Sequence, residues 1–182
     1  MCAASLGQKS FVMTSEISPA VVYSIGHSDH ELQAFIALLR QHRITTLVDV
    51  RSQPYSRWVP QFNRETLARA LEEAGLSYIY MGDTLGGRPP DASLYNSEQT
   101  EGRPDYELMA ATSSFQTGLE QLLELARTAS LVMMCSEGDY HRCHRALLIT
   151  PELLERGARV LHIQPDSETV EAQREPKQLK LF

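Results

Sequence analysis

Leu131-Val-Met-Met-Cys-Ser-Glu-Gly-Asp-Tyr-His-Arg-Cys-His-Arg145 is the stretch that decides how this chain folds. Its first four residues form an apolar run with the length of a buried strand. The next eleven, Cys135 to Arg145, hold two Cys, two carboxylates, two His and two Arg, and they lead into a helical pattern. A strand that enters a helix through a polar turn is the repeating unit of open α/β proteins. The strand ends there, and the helix points its free N–H groups into the same space.

The same unit recurs on either side. Val21–Ile25 reads as a first strand, ending in Gly26-His27. Ser28 and Glu31 have capping-box spacing, and Leu32, Phe35, Ile36 and Leu39 then recur at helical intervals. Thr46–Arg51 is a second strand. Asn63 is placed to cap a helix carrying Leu67, Ala70, Leu71 and Ala74, which stops at Gly75. Leu76–Met81 is a third strand, and Gly82 to Pro104 is a long irregular segment. Residues 105–127 read as one helix or a broken pair, with Phe115, Leu119, Leu122, Leu123 and Ala126 on one face. Leu131–Met134 is the fourth strand. A helix starting near Arg142 should break at Thr150-Pro151, and Val160–Ile163 is the fifth strand.

Strands alternating with helices imply an α/β fold. The expectation is a single three-layer domain, with a mainly parallel five-stranded sheet and helices on both faces. Residues 20–163 form that domain, behind a leader of residues 1–19. Residues 164–182 are acidic and lack a core-forming period, so they read as a flexible tail. In the common order 3-2-1-4-5, the ends of strands 1, 2 and 4 would share one crevice. Those ends carry His27, Asp49 with Arg51, and Cys135 with Glu137.

The bulk composition fits a soluble globular domain: 182 residues, 42% hydrophobic and net charge −6. That charge argues against a general nucleic-acid coat but leaves room for a local basic groove. Three Cys is an odd, low count that speaks against a disulfide framework. With no spanning segment or signal pattern, a cytoplasmic protein that does not enter membranes is expected.

Each candidate residue has a functional and a structural reading. Cys135 is a nucleophile or a small buried hydrophobe. Glu137 is a general acid/base, an orienter of His144, or one half of an ion pair with Arg51 or Arg145. Cys143, His144 and Arg145 open a helix whose dipole favours a thiolate and an anion, or they form its solvated first turn. His27 is a base, a phosphate ligand or a helix-entry residue. Asp49 and Arg51 alternate on a strand, so they face the same way as a salt bridge or a site pair. No metal is expected, because paired C-x2-C spacing is missing and adjacent Cys143 and His144 seldom ligate one ion together. No cofactor is expected either.

From Val50 to Arg64 the chain carries Arg51, Arg57 and Arg64 with Tyr55, Trp58 and Phe62 interleaved, and no acid. Arginines with stacking platforms suit single-stranded nucleic acid or a nucleotide. Arg57, Trp58, Tyr55, Asn63 and Arg88 are therefore candidate nucleic-acid contacts. The structural alternative has Trp58 and Phe62 stapling the loop to the core.

Five ordered motifs carry a family resemblance. They are Ser24-Ile-Gly-His-Ser28, Leu47-Val-Asp-Val-Arg-Ser52 with Pro54, Pro60-Gln-Phe-Asn63, Leu85-Gly-Gly-Arg88, and Cys135-x-Glu137 with Cys143-His-Arg145. Over roughly residues 20–163 the chain resembles the domain-of-unknown-function-488 family. The resemblance implies a compact α/β fold and a shared polar site, and it brings no activity. A weaker similarity is to rhodanese-like domains, which also carry a Val-Asp-Val-Arg-like strand and a later strand-end Cys. This chain departs from them by placing Glu137 and Asp139 in the Cys loop, where carboxylates raise a thiol pKa. The last five residues, Gln178-Leu-Lys-Leu-Phe182, resemble the peptide by which bacterial polymerases and repair proteins bind their sliding clamp. Gln178, Leu179, Leu181 and Phe182 would anchor it in an apolar groove.

The expectation is a bacterial enzyme of DNA maintenance, hydrolytic or base-directed (glycosylase- or nuclease-like), acting on DNA or nucleotides and recruited by its C-terminal peptide. In it Glu137 or Asp49 is the base, and Arg51 and Arg145 are anion clamps. Two alternatives stand beside it: a rhodanese-like sulfurtransferase with Cys135 as persulfide carrier, and a non-enzymatic nucleic-acid or ligand-binding module.

Overall fold

The computed structural model describes residues 19–95 and 102–174. In chain order the main elements are β1 (Val21–Gly26), α1 (Leu32–Gln41), β2 (Thr46–Asp49), α2 (Arg64–Glu73), β3 (Ser77–Tyr80), the single turn α3 (Gly82–Leu85), α4 (Tyr106–Ala110), α5 (Ser113–Thr128), β4 (Leu131–Cys135), α6 (Thr150–Glu155), β5 (Arg159–Ile163) and β6 (Thr169–Glu171). The chain is an α/β domain with a mixed, mostly parallel six-stranded sheet. Among the described residues, no helix is long and apolar enough to cross a membrane.

The strand order is β3-β2-β4-β1-β5-β6, not the 3-2-1-4-5 expected from common topology. β4 lies between β1 and β2, and each of its residues is buried. Hydrophobic pattern reports that a strand is central but not which strand flanks it. β6 is the second difference. It pairs antiparallel with β5 through Leu161–Glu171, His162–Val170 and Ile163–Thr169, so residues expected in a tail finish the sheet instead. Arg159 clamps this edge with two bonds to the Glu171 carboxylate, at 2.7 and 2.9 Å.

Side chains alternate along each strand and split the core in two. Leu131, Met133 and Cys135 of β4 join Leu119, Leu122, Leu148 and Leu153 on one face. Val132 and Met134 join Phe35, Leu39, Phe62, Leu67 and Leu71 on the other. Helices therefore cover both faces, α1 and α2 on one side and α5 and α6 on the other.

Local chemistry departs from expectation at three helix starts. Ser28 does not cap α1: it adopts φ 45, its hydroxyl donates to Asp29, and Glu31 holds the cap position without a side-chain bond. Asn63 stands at the cap of α2, but its side-chain oxygen accepts from the Ser56 N–H at 2.7 Å and ties down the preceding loop. The last helix does not break at Pro151. A π-helical segment, Arg145–Ile149, runs straight into α6. The wider turn absorbs a residue that cannot donate a backbone hydrogen bond, and such segments gather at functional sites.

Candidate functional site

The strand ends meet in register, as a site at this edge of the sheet requires. Gly26 lies opposite Cys135, and Asp49 opposite Met134. His27 N–H donates to Cys135 C=O at 2.9 Å, and Ser28 N–H to Ser136 C=O at 3.0 Å, extending the pairing beyond the strands. Gly26 makes this possible: a Cβ there would lie 1.9 Å from the Glu137 carbonyl oxygen.

The polar groups do not form one pocket. Strand alternation sorts them into two nests on opposite faces of the sheet. The first, beside Phe62, holds Asp49, Arg51, His27 and Tyr78. Arg51 Nε and one terminal nitrogen grip Asp49 at 2.9 and 2.6 Å. Arg51 N–H and the Tyr78 hydroxyl also donate to that carboxylate. The other terminal nitrogen of Arg51 meets His27 Nε2 at 3.1 Å, and the Phe62 carbonyl accepts a further bond. His27 Nδ1 lies 2.8 Å from the Ser28 carbonyl, so it is the protonated nitrogen and Nε2 accepts from Arg51. Burial, offset in part by that carbonyl, lowers the His27 pKa to about 4. The imidazole stacks on Phe62 at 4.3 Å. Burial, followed by the charge of Asp49, raises the pKa of Tyr78. Asp49 thus faces four donors, and Arg51 has spent its fork inside the protein. Neither is placed as a free base or an anion clamp.

The second nest lies on the α5–α6 face and holds Cys135, Cys143, His144 and Arg145, with Ser24, which opens the first motif, and His162, which lies in none. Arg145 is 1% exposed. Its Nε donates to Cys143 Sγ at 3.2 Å, and its terminal nitrogens donate to Ser24 Oγ at 3.0 Å and the Glu137 carbonyl at 2.6 Å. His162 Nδ1 lies 3.0 Å from the same Ser24 hydroxyl, Tyr140 stacks on its ring, and burial lowers its pKa to about 4. His144 Nδ1 is 3.6 Å from each of the two sulfurs. His144 Nε2 lies 3.0 Å from the Val50 carbonyl and must donate to it, which leaves Nδ1 with a lone pair toward the sulfurs.

The two thiols have unequal acidity. The S–H of Cys135 and the charge of Arg145 outweigh burial and lower the Cys143 pKa below the ordinary thiol range. Its partnership with Cys143, then burial, pushes Cys135 well above the ordinary thiol range. Arg145 Nε reaches the Cys143 sulfur, which favours Cys143 as the thiolate with Cys135 as its S–H donor. Tyr106 lies close by: burial, then the negative charge of Cys143, raises its pKa, and Arg103 and Arg88 oppose this. Gly87 packs on the His144 ring, where a Cβ would fall 2.5 Å from Cγ.

A family model, Domain of unknown function DUF488, matches residues 31–150, well over half of the chain. The chain belongs to the DUF488 family. No curated protein and no solved structure matches it. The matched span of DUF488 takes in both thiols, His144, Arg145, Asp49 and Arg51, while Ser24, His27 and His162 lie outside it.

The other candidates of this DUF488 chain are at the surface. Glu137 is exposed. It does not orient His144, whose nitrogens face Val50 and the sulfurs, and only its backbone carbonyl meets Arg145. Tyr55 and Trp58 are 76% and 79% exposed, and Arg57 lies over the Trp58 ring at 4.7 Å. Trp58 is thus no staple; Phe62, 0% exposed, anchors the loop in the core, with Val59 packed beside it. Arg88 is exposed, and its N–H donates to Ser52 Oγ at 2.9 Å. Ser24 opens the first motif without reading as a site residue; Tyr78, Tyr106 and His162 lie in no motif, the alternation of β3 and β5 marks only the faces of Tyr78 and His162, and Tyr106 sits on α4. Gln178, Leu179, Leu181 and Phe182 lie outside the described residues.

Proposed function

We propose that this chain is a hydrolytic or base-directed enzyme acting on DNA or nucleotides. Its reacting centre is the buried Cys135, Cys143 and His144 cluster, and its nucleic-acid contact is the Tyr55–Trp58 loop. The observation that carries this reading is Trp58 standing in solvent with Arg57 stacked on it, in a loop that leaves the strand end bonded to His144. An exposed indole with an arginine offers a base platform and a phosphate partner together. Glu137, exposed beside the cluster, is the candidate general base in place of Asp49. The C-terminal Gln178–Phe182 peptide would bring the enzyme to a sliding clamp.

Titration with short single-stranded DNA, followed by Trp58 fluorescence, tests the contact. Arg57→Ala and Trp58→Ala should each weaken binding, and only the arginine variant should flatten the salt dependence. Unchanged affinity in both removes the loop from the proposal. Deleting Leu181 and Phe182 should abolish binding to a purified clamp while leaving DNA binding intact.

The thiolate character of Cys143 supports a second reading, a sulfurtransferase. It moves the persulfide carrier from Cys135 to Cys143. Thiosulfate-to-cyanide sulfur transfer that is lost in Cys143→Ser and kept in Glu137→Gln would favour it over the hydrolytic reading.

A further inference from the structure

The ligand atoms of Cys135, Cys143 and His144 lie within 4.8 Å of one another, and we propose that these residues bind one zinc ion whose fourth position is open to water. The proposal rests on the reading that this cluster is the reacting centre, and it supplies that centre with its chemistry.

The distances carry the argument. Both sulfurs lie 3.6 Å from His144 Nδ1, and the three ligand atoms lie within 4.8 Å of one another. Zinc bonds of about 2.3 Å to sulfur and about 2.0–2.1 Å to nitrogen, at tetrahedral angles, separate sulfur from nitrogen by about 3.6 Å. Hydrogen bonding alone explains this less well. The Cys135 S–H is given to Cys143 and Nδ1 presents only a lone pair, yet both sulfurs approach that lone pair equally at 3.6 Å. Equal approach is what a shared central ion imposes.

The surroundings fit the same ion. The Val50 carbonyl holds His144 Nε2 and so leaves Nδ1 as the donor atom, the arrangement that orients imidazole ligands. Each sulfur has an N–H donor, Arg145 Nε on Cys143 and the Glu137 backbone N–H on Cys135. Such donors stabilise two thiolates held close together, and a doubly charged cation completes the balance. The backbone passes from extended at Cys143 (φ −104, ψ 145) to helical at His144 (φ −56, ψ −21). That bend turns consecutive side chains toward one centre, which is why spacing along the chain gave no sign of it. All three residues are buried, and only glycine at position 87 leaves room for the His144 ring.

The ligand set selects the metal and its role. Two soft thiolates and an imidazole in a tetrahedral arrangement suit zinc rather than magnesium or calcium. Among the described residues, no fourth His, Cys, Asp or Glu joins the group. Three protein ligands with one open position are the pattern of hydrolytic zinc, which lowers the pKa of its bound water to about 7.

The test uses the full-length protein, purified without chelator. Elemental analysis should find one zinc per chain. It should be lost in Cys135→Ser, Cys143→Ser and His144→Asn, and kept when the exposed His141 is replaced by Asn. Cobalt(II) in place of zinc should give an intense thiolate-to-metal charge-transfer band and tetrahedral visible bands. The cobalt spectrum of the native sequence decides the matter even where a variant fails to fold. A weak octahedral spectrum, substoichiometric zinc that reconstitution cannot raise, or wild-type zinc in folded Cys135→Ser and His144→Asn overturns the proposal. Turnover of DNA or nucleotides that survives complete metal removal also overturns it, while sparing the functional reading. Stoichiometric zinc on these three ligands with no such turnover keeps the site and removes the function.

Discussion

Arg145 Nε meets the Cys143 sulfur at 3.2 Å inside the protein, and among the described residues the hydrogen-bonded partners of this guanidinium are a sulfur, a hydroxyl and a carbonyl. Burying a guanidinium without a carboxylate is costly unless an anion compensates it. The thiolate of Cys143 supplies that anion, and Arg145 in turn helps hold Cys143 ionised. Metal-free protein should therefore show thiolate absorbance at pH values below the ordinary thiol range. In Arg145→Met that titration should move upward. The variant should also lose about 3–5 kcal/mol of stability in urea unfolding, the usual result of breaking one side of a buried charge pair. Arg145→Lys should fare almost as badly, because an ammonium cannot span the three separate partners of the fork. A thiolate signal that Arg145→Met leaves in place would disprove the coupling.

Gly87 offers a way to move His144 without touching it. An added Cβ would lie 2.5 Å from Cγ and 2.7 Å from Cβ of His144, and these are side-chain atoms at a ring that can swing aside. Gly87→Ala should therefore cost about 1–3 kcal/mol, as overpacking does, and leave the fold intact. The swing should break the Nε2 contact with Val50 and take Nδ1 away from both sulfurs. Metal affinity should drop more than stability. Gly26→Ala differs, because its Cβ would strike the Glu137 backbone at 1.9 Å and displace the whole Cys loop. Equal metal affinity in Gly87→Ala and the native protein would show that His144 does not depend on this packing.

Much of this was legible along the chain. The strand run at Leu131, the helical face of Phe115 to Ala126 and the Gly75 stop (φ 77) appear where the pattern placed them. Periodicity reports which residues face a core, and it did so on both sides of the sheet. It carries no information on strand order, so the place of β4 between β1 and β2 was not readable, nor was the division of strand-end groups between two faces. The edge strand β6 was missed because Thr169-Val170-Glu171 is short, exposed and acidic, and is held by pairing and by Arg159 rather than by burial. Cys135, Cys143 and His144 were noticed singly. Their meeting depends on a backbone bend between Cys143 and His144 that no propensity scale records.

The two buried histidines set the acid side of the stability curve. His27 and His162 each fall from 6.5 to about 4, first through burial. In the unfolded chain both take up a proton near pH 6.5, and in the folded protein only near pH 4. Between these values the unfolded state binds more protons, so stability declines as pH falls through that window and levels off below it. Every tenfold loss of proton affinity on folding corresponds to about 1.4 kcal/mol. Urea unfolding of metal-free protein should show the decline, and His27→Asn should make it shallower while retaining a donor for the Ser28 carbonyl. A flat profile between pH 7 and pH 4 would contradict this account.

Phe62 and Trp58 belong to one loop and should behave oppositely. Phe62 is 0% exposed, stacks on His27 at 4.3 Å and meets Phe35 edge-on at 5.1 Å. Its carbonyl also receives a bond from Arg51. Phe62→Ala should cost about 3–5 kcal/mol, as other large core truncations do, and loosen the Arg51 nest with it. Trp58 is 79% exposed, and its ring is engaged by the Arg57 guanidinium alone among the described aromatic contacts. Trp58→Ala should change stability by no more than about 0.5 kcal/mol, the usual limit for a surface substitution. A large exposed indole that adds nothing to the fold is free to serve a ligand. If thermal unfolding shows Trp58→Ala to be as damaging as Phe62→Ala, the indole is part of the core in solution and the nucleic-acid platform is lost.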